Sequence, residues 1–188
     1  MALSGRGESA GDQAPTKTAS KSQPKYLPDG ALERPEDFRK WVFVGSSLGL
    51  SYAKDPKYDK EQLFHNVYII PAAYEHYART RKFPEKTMLA MAVYRQVTKT
   101  KTPLDLQGSF AGDLVALELA VKDSNHFEQS WAYFDFSSKP NEKSLRPSAK
   151  PFPAAKCYDC HAAHAADDNV FVQFYPVLRR LSEQAPHK

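Results

Sequence analysis

Along the middle of this chain apolar and polar positions alternate in twos, and only short stretches fall into helical spacing. Trp41, Val42, Phe43, Val44 and Gly45 form an apolar run that predicts a strand. It follows Pro35, Glu36, Asp37, Phe38, Arg39 and Lys40, the start of a short helix with acids in its first turn. Residues 63–70 predict a second strand, ended by Pro71, which has no N–H to give a ladder. Residues 72–81 have helical composition, with Tyr74, Tyr77 and Ala78 at helical spacing. Residues 87–97 return to β character: Thr87, Leu89, Met91 and Val93 share one face, and Met88, Ala90, Ala92 and Tyr94 share the other. Residues 114–121 alternate strongly, with Val115, Leu117, Leu119 and Val121 facing one way and Ala116, Glu118 and Ala120 the other. In residues 131–136, Ala132, Phe134 and Phe136 oppose Trp131, Tyr133 and Asp135. Residues 46–59, 99–108 and 137–153 predict polar connections, the last carrying four prolines. Beyond them, 162–166 predict the continuation of a short helix, 170–175 the beginning of a last helix or a strand, and 176–184 a helix. The pattern is that of an α+β fold, mainly antiparallel β-sheet with a few helices and no internal repeat.

Composition adds boundaries. The first 25 residues are rich in Ser, Ala, Gly, Lys, Gln and Thr, too polar to offset the entropy of ordering, and predict a disordered leader. Residues 26–184 form one domain, and 185–188 a short tail. Eleven Phe, ten Tyr and two Trp would suit the walls of a flat apolar cofactor site. A net charge of +4 is too mild to argue for nucleic acid. No run of apolar residues is long enough to span a membrane, and residues 1–28 hold no apolar signal core.

The chemistry concentrates in Cys157, Tyr158, Asp159, Cys160 and His161. The spacing C-x-x-C-H reads as a c-type haem attachment site. Two thiols three positions apart can add to the two vinyl groups of one porphyrin, and the next histidine can ligate its iron from below. A redox C-x-x-C pair with a chance histidine would want a βαβ context that is missing here. A zinc site would want more ligands of this spacing. The strand-rich pattern then excludes the globin-like and four-helix-bundle haem proteins. Haem of this kind is attached outside the bacterial cytoplasm. The expectation is therefore a periplasmic protein whose export signal has been removed and to which an initiator Met has been added.

The order of the pieces resembles the cytochrome P-460 and cytochrome c′-beta superfamily from about residue 32 to residue 181. The resemblance rests on residues 38–45, on 66–71 with Tyr74 and His76, on 112–124, on Trp131, Ala132, Tyr133 and Phe134, on the haem motif, and on the closing 170–179. It implies a homodimer of antiparallel sheets with one haem c per subunit, the iron held by His161 and its other face open or loosely capped. In one branch a strand lysine is cross-linked to the haem and hydroxylamine is oxidised. In the other, phenylalanines pack the distal face, and nitric oxide or carbon monoxide binds. This sequence sets Met91 where the cross-linking lysine would stand, with no lysine between Lys86 and Lys99. That predicts no lysyl cross-link and argues against hydroxylamine oxidation.

Around the haem, Met91 is a soft thioether able to reach the iron, to pack on the haem edge, or to fill core. Phe134, Phe136 and Phe152 are candidates for an apolar lid that admits neutral diatomics and disfavours charge; ordinary core packing is the alternative for each. His65, His76, Arg79, Arg95 and Asp135 are the available acid–base and cationic groups. Arg179 can pair with a haem propionate or simply be a solvated helix residue. His164 and Tyr175 suit supporting roles. The leading reading is a periplasmic haem c protein that binds small ligands such as nitric oxide, with peroxidase-like reactivity in reach. Its rivals are an oxidoreductase acting on hydroxylamine or peroxide, and an electron-transfer cytochrome with His161/Met91 ligation and a redox partner protein.

Overall fold

A computed structural model describes residues 23–51, 62–98, 108–138 and 144–184. The predicted leader lies almost wholly outside these residues, as do the tail and most of the connections at 46–59 and 99–108. Five antiparallel strands make one sheet: β2 (Val42–Leu48), β3 (Leu63–Ile69), β4 (Met88–Val97), β5 (Phe110–Lys122) and β6 (Trp131–Asp135), in spatial order β2-β3-β4-β5-β6. A two-stranded ladder joins β1 (Leu32–Glu33) to β7 (Ser148–Ala149). Three α-helices follow the chain: α1 (Pro71–Thr80), α2 (Tyr158–His164) and α3 (Pro176–Ser182). The fold is α+β on antiparallel sheet, as the alternation predicts.

Each predicted strand is present, and the differences lie at ends and in short pieces, among them β1, which the sequence pattern does not predict. β5 begins at Phe110 because its backbone pairs with the end of β4 (Val97 with Phe110, Gln96 with Ala111), although side-chain alternation is lost there. β2 continues to Leu48 for the same reason, opposite His65 and Phe64. β7 lies inside the connection predicted for 137–153. Helix α2 starts within the cysteine motif and continues into the alanine-rich stretch. Residues 172–174 form a single 3-10 turn, neither strand nor α-helix.

Local chemistry explains the joints. Pro71 opens α1, where its missing N–H is not needed, and Arg81 ends it in the left-handed region at φ 59°, its N–H donating to the Tyr77 carbonyl at 2.8 Å. Gly45 lets the start of α3 lie directly on β2. A Cβ there would sit 3.1 Å from the Tyr175 Cα, so the close approach favours glycine.

The register divides the sheet into two faces. On one, Tyr68, Ala90, Leu119 and Phe134 form a cross-strand row, flanked by Leu117 and Phe136 on one side and Met88, Val121 and Ala132 on the other. Leu117, Leu119, Val121, Phe134 and Phe136 are all buried. On the other face run two rows: Ile69, Leu89, Ala120 and Tyr133, and Val67, Met91, Glu118 and Asp135.

Candidate haem-attachment site

A 3-10 turn, Ala154–Lys156, delivers Cys157 to the N-terminus of α2, and Cys160 and His161 follow within its first turn. Both thiols are free; Cys157 is half-buried and Cys160 exposed. Burial pushes the Cys157 thiol up, and the negative charge of Glu118 adds to this, so the sulfur is held protonated. These are two unpaired thiols side by side, one of them open to solvent.

His161 is fixed on three sides. Its ring lies between Tyr133, at 4.3 Å between centroids, and Phe171, at 4.6 Å. Nδ1 is 2.8 Å from the Asn169 carbonyl oxygen, which makes Nδ1–H the donor and leaves the lone pair on Nε2. Burial lowers the pKa of the imidazole against the opposing pull of that carbonyl, so the ring is neutral. A neutral imidazole with its Nδ1 engaged is the form in which histidine ligates a metal. The residues present therefore fit a haem c: two thiols for the porphyrin and Nε2 for its iron.

The carbonyl belongs to a turn built from Asp167, Asp168 and Asn169. Asp168 and Asn169 both take positive φ, 41° and 59°, a conformation Asp and Asn tolerate better than most residues. Each member ties down a different element. Asp167 accepts from the Tyr77 hydroxyl on α1 at 2.8 Å. Asp168 accepts from Trp131 Nε1 at 3.0 Å and from Lys122 Nζ at 2.7 Å. The Asn169 carbonyl also accepts from the Tyr133 hydroxyl at 3.3 Å.

The motif lies over the sheet face that carries Met91. Cys157 feels the charges of both Glu118 and Asp135, which are direct cross-strand neighbours, and Met91 is the neighbour of Glu118 on the other side. Burial foremost, and then the like charge of Asp135, raise the Glu118 carboxyl to about 7, with Lys156 partly offsetting both. His65 occupies the same face two residues from Val67; it is buried, its Nδ1 lacks a hydrogen-bond partner, and burial lowers its pKa.

Of the predicted lid, the structure brings only Phe152 to the motif. Its N–H donates to the Tyr133 carbonyl at 2.8 Å, and Lys156 Nζ sits 3.9 Å over its ring. Phe152, Tyr133 and Tyr158 wall a cavity of about 210 Å³ beneath the 126–129 loop. Phe134 and Phe136 do not join them. They point through the opposite face of β6 into the core, where Phe134 packs edge-on against Phe127 at 6.0 Å. Arg179 is exposed on α3, donating to the Gln173 carbonyl at 3.2 Å, and the Gln173 side chain in turn holds the end of α2 through the His164 carbonyl and the Ala166 N–H. Tyr133, Asn169, Asp168 and Glu118 are the site residues that sequence reasoning missed. The consecutive Asp167, Asp168 and Asn169 were the available signal, a turn tripeptide six residues past the histidine.

A thiol pair and a neutral, oriented histidine on one face of an antiparallel sheet are a donor set that fits haem c. The family model for cytochrome P460 matches residues 35–172, and the chain belongs to the cytochrome P460 family. No curated protein matches it. Members of this family are cytochromes that carry haem c and are typically periplasmic.

Proposed function

We propose that this chain is a periplasmic cytochrome with one covalent haem c, which binds small nitrogen-oxide or gaseous ligands at an iron held by His161. Cys157 and Cys160 would carry the thioether bonds, and His161 Nε2 would hold the iron. When bound, the haem would supply a redox-active iron able to take a small ligand. The observation that carries the reading is the Nδ1 contact of His161 with the Asn169 carbonyl, which leaves the Nε2 lone pair free to ligate a metal. β4 offers no lysine among residues 88–97, which supports a haem free of a lysyl cross-link, with Met91 at its edge. Acid–organic extraction tests the attachment. Haem should stay with the wild-type chain and leave a Cys157→Ser/Cys160→Ser variant; retention by the variant would refute the reading.

One observation favours a second reading, turnover of a protic substrate such as hydroxylamine or peroxide. The face below the motif bears the acid pair Glu118 and Asp135, and a carboxyl that titrates near neutrality can accept or return a proton. Optical spectra of the ferric and reduced protein, with nitric oxide and with hydroxylamine, separate the two: stable ligation supports the first, consumption of hydroxylamine the second. An iron that ignores nitric oxide would instead favour Met91 ligation and electron transfer to a redox partner protein. Exposed Phe43 and Leu48 on the edge strand β2 support a homodimer, which light scattering tests.

A further inference from the structure

The Asn169 carbonyl has two donors, and they serve different ends. His161 Nδ1 lies 2.8 Å away and the Tyr133 hydroxyl 3.3 Å away. A carbonyl oxygen has two lone pairs and can accept both. Its electron density is nonetheless shared, so each bond weakens the other's pull. For a metal-bound histidine that pull matters, because the hydrogen bond at the distal ring nitrogen raises the basicity of the ligating one.

We propose that Tyr133 is a positioning residue that tunes the axial ligand by competing with His161 for the Asn169 carbonyl, and that the 167–169 turn holds the carbonyl fixed so that this competition sets the donor strength of His161. The inference rests on His161 being the iron ligand. The turn is braced for the task. Asp167 is tied to α1 through Tyr77, and Asp168 to β5 and β6 through Lys122 and Trp131. Asp167 and Val170 close it by backbone hydrogen bonds in both directions. The carbonyl therefore cannot swing away from one donor to favour the other. The Tyr133 ring also lies against the imidazole, so the hydroxyl is carried by the same side chain that fixes the plane of the ligand.

The ring and the hydroxyl can be separated. Tyr133→Phe keeps the packing and removes the competing donor. In the haem-loaded variant the His161 bond to Asn169 should strengthen. The reduction potential should then move to a more negative value, and the iron–histidine stretching frequency should rise, read in the ferrous protein or in its carbon monoxide photoproduct. Asp168→Asn acts the other way. It loosens the turn by losing the charge pair with Lys122, so the stretching frequency should fall. Loss of a negative charge would raise the potential by itself, so for this variant the frequency decides. A loaded Tyr133→Phe protein with unchanged potential and frequency overturns the inference. If that variant fails to fold, an unchanged frequency in Asp168→Asn overturns it instead. Wild-type protein that releases its haem on extraction would sink the proposed function as well, so the two failures are distinguishable.

Discussion

The two faces of the five-stranded sheet treat charge in opposite ways. On the Phe134 face the buried carboxylate, Asp123, is fully partnered: Lys86 Nζ at 2.5 Å, His126 Nδ1 at 3.0 Å and the Tyr26 hydroxyl at 2.9 Å surround it. Burial works against its ionisation, but the hydrogen bonds from Lys86, Tyr26 and His126 outweigh burial, and its pKa is held below the usual carboxylate range. On the Met91 face Glu118 sits beside another acid, Asp135, and its pKa is pushed up. One face spends its polar groups on closing the structure. The other keeps the raised carboxyl of Glu118 beside Asp135, which the Ser137 N–H and Arg146 hold, next to the cysteine motif. Perturbation of that second kind collects where chemistry is done.

The largest effect should come from the apolar side of this contrast. Phe134→Ala opens a void among buried residues and should cost about 3–5 kcal/mol, measured by urea unfolding. A matched loss from Phe152→Ala would break the distinction between core and wall. Next in size, Asp123→Asn leaves Lys86 without its buried partner and should cost about 2–3 kcal/mol at pH 7. The linkage has a definite sign. A depressed folded pKa means that the contribution of Asp123 is present above about pH 4 and is lost as pH falls through the folded value. The variant should therefore approach wild type in acid.

Glu118→Gln should do the reverse. A raised folded pKa means that the ionised carboxylate opposes folding, not below pH 4.5 but increasingly as pH climbs through about 7. The variant should match wild type at pH 4 and exceed it by about 1 kcal/mol at pH 8, once solvent screening of a half-buried carboxyl is allowed for. Thermal melts of the wild type and both variants across pH 4–8 would show two curves of opposite slope, and parallel curves would erase the comparison. The smallest effect belongs to Arg179→Ala, on an exposed side chain with Glu183 3.9 Å away; stability should change by less than about 0.5 kcal/mol. Slower binding of an anionic ligand by that variant would be the sign of a propionate or entry role.

The contrast also marks what the sequence could carry. Each strand's own two faces were legible: Ala132, Phe134 and Phe136 against Trp131, Tyr133 and Asp135, and Met91 with Leu89 against Met88 with Ala90. Which face of β4 meets which face of β6 was not, because that depends on pairing through β5. One residue of register in either pairing would exchange the faces, and nothing local in the strands fixes that register. Hence Met91 and the two phenylalanines were assigned to one pocket, although they lie on opposite sides of the sheet. The cysteine motif was legible because its chemistry is local in sequence. The Asn169 carbonyl was not, because a backbone oxygen has no signature of its own and becomes special only through the side chains the fold brings to it.

The position of the 167–169 turn along the chain has a consequence for how the protein is made. The five strands are complete at Asp135, the motif follows at Cys157, and the groups that dock it, from Asp167 to Phe171, come later still. As synthesis runs from the N-terminus, all five strands are available before residues 157–161 and before the groups that dock them. On the proposed reading, both thiols could be reached before His161 is seated. The last segment to arrive then acts as the latch on the cysteine motif.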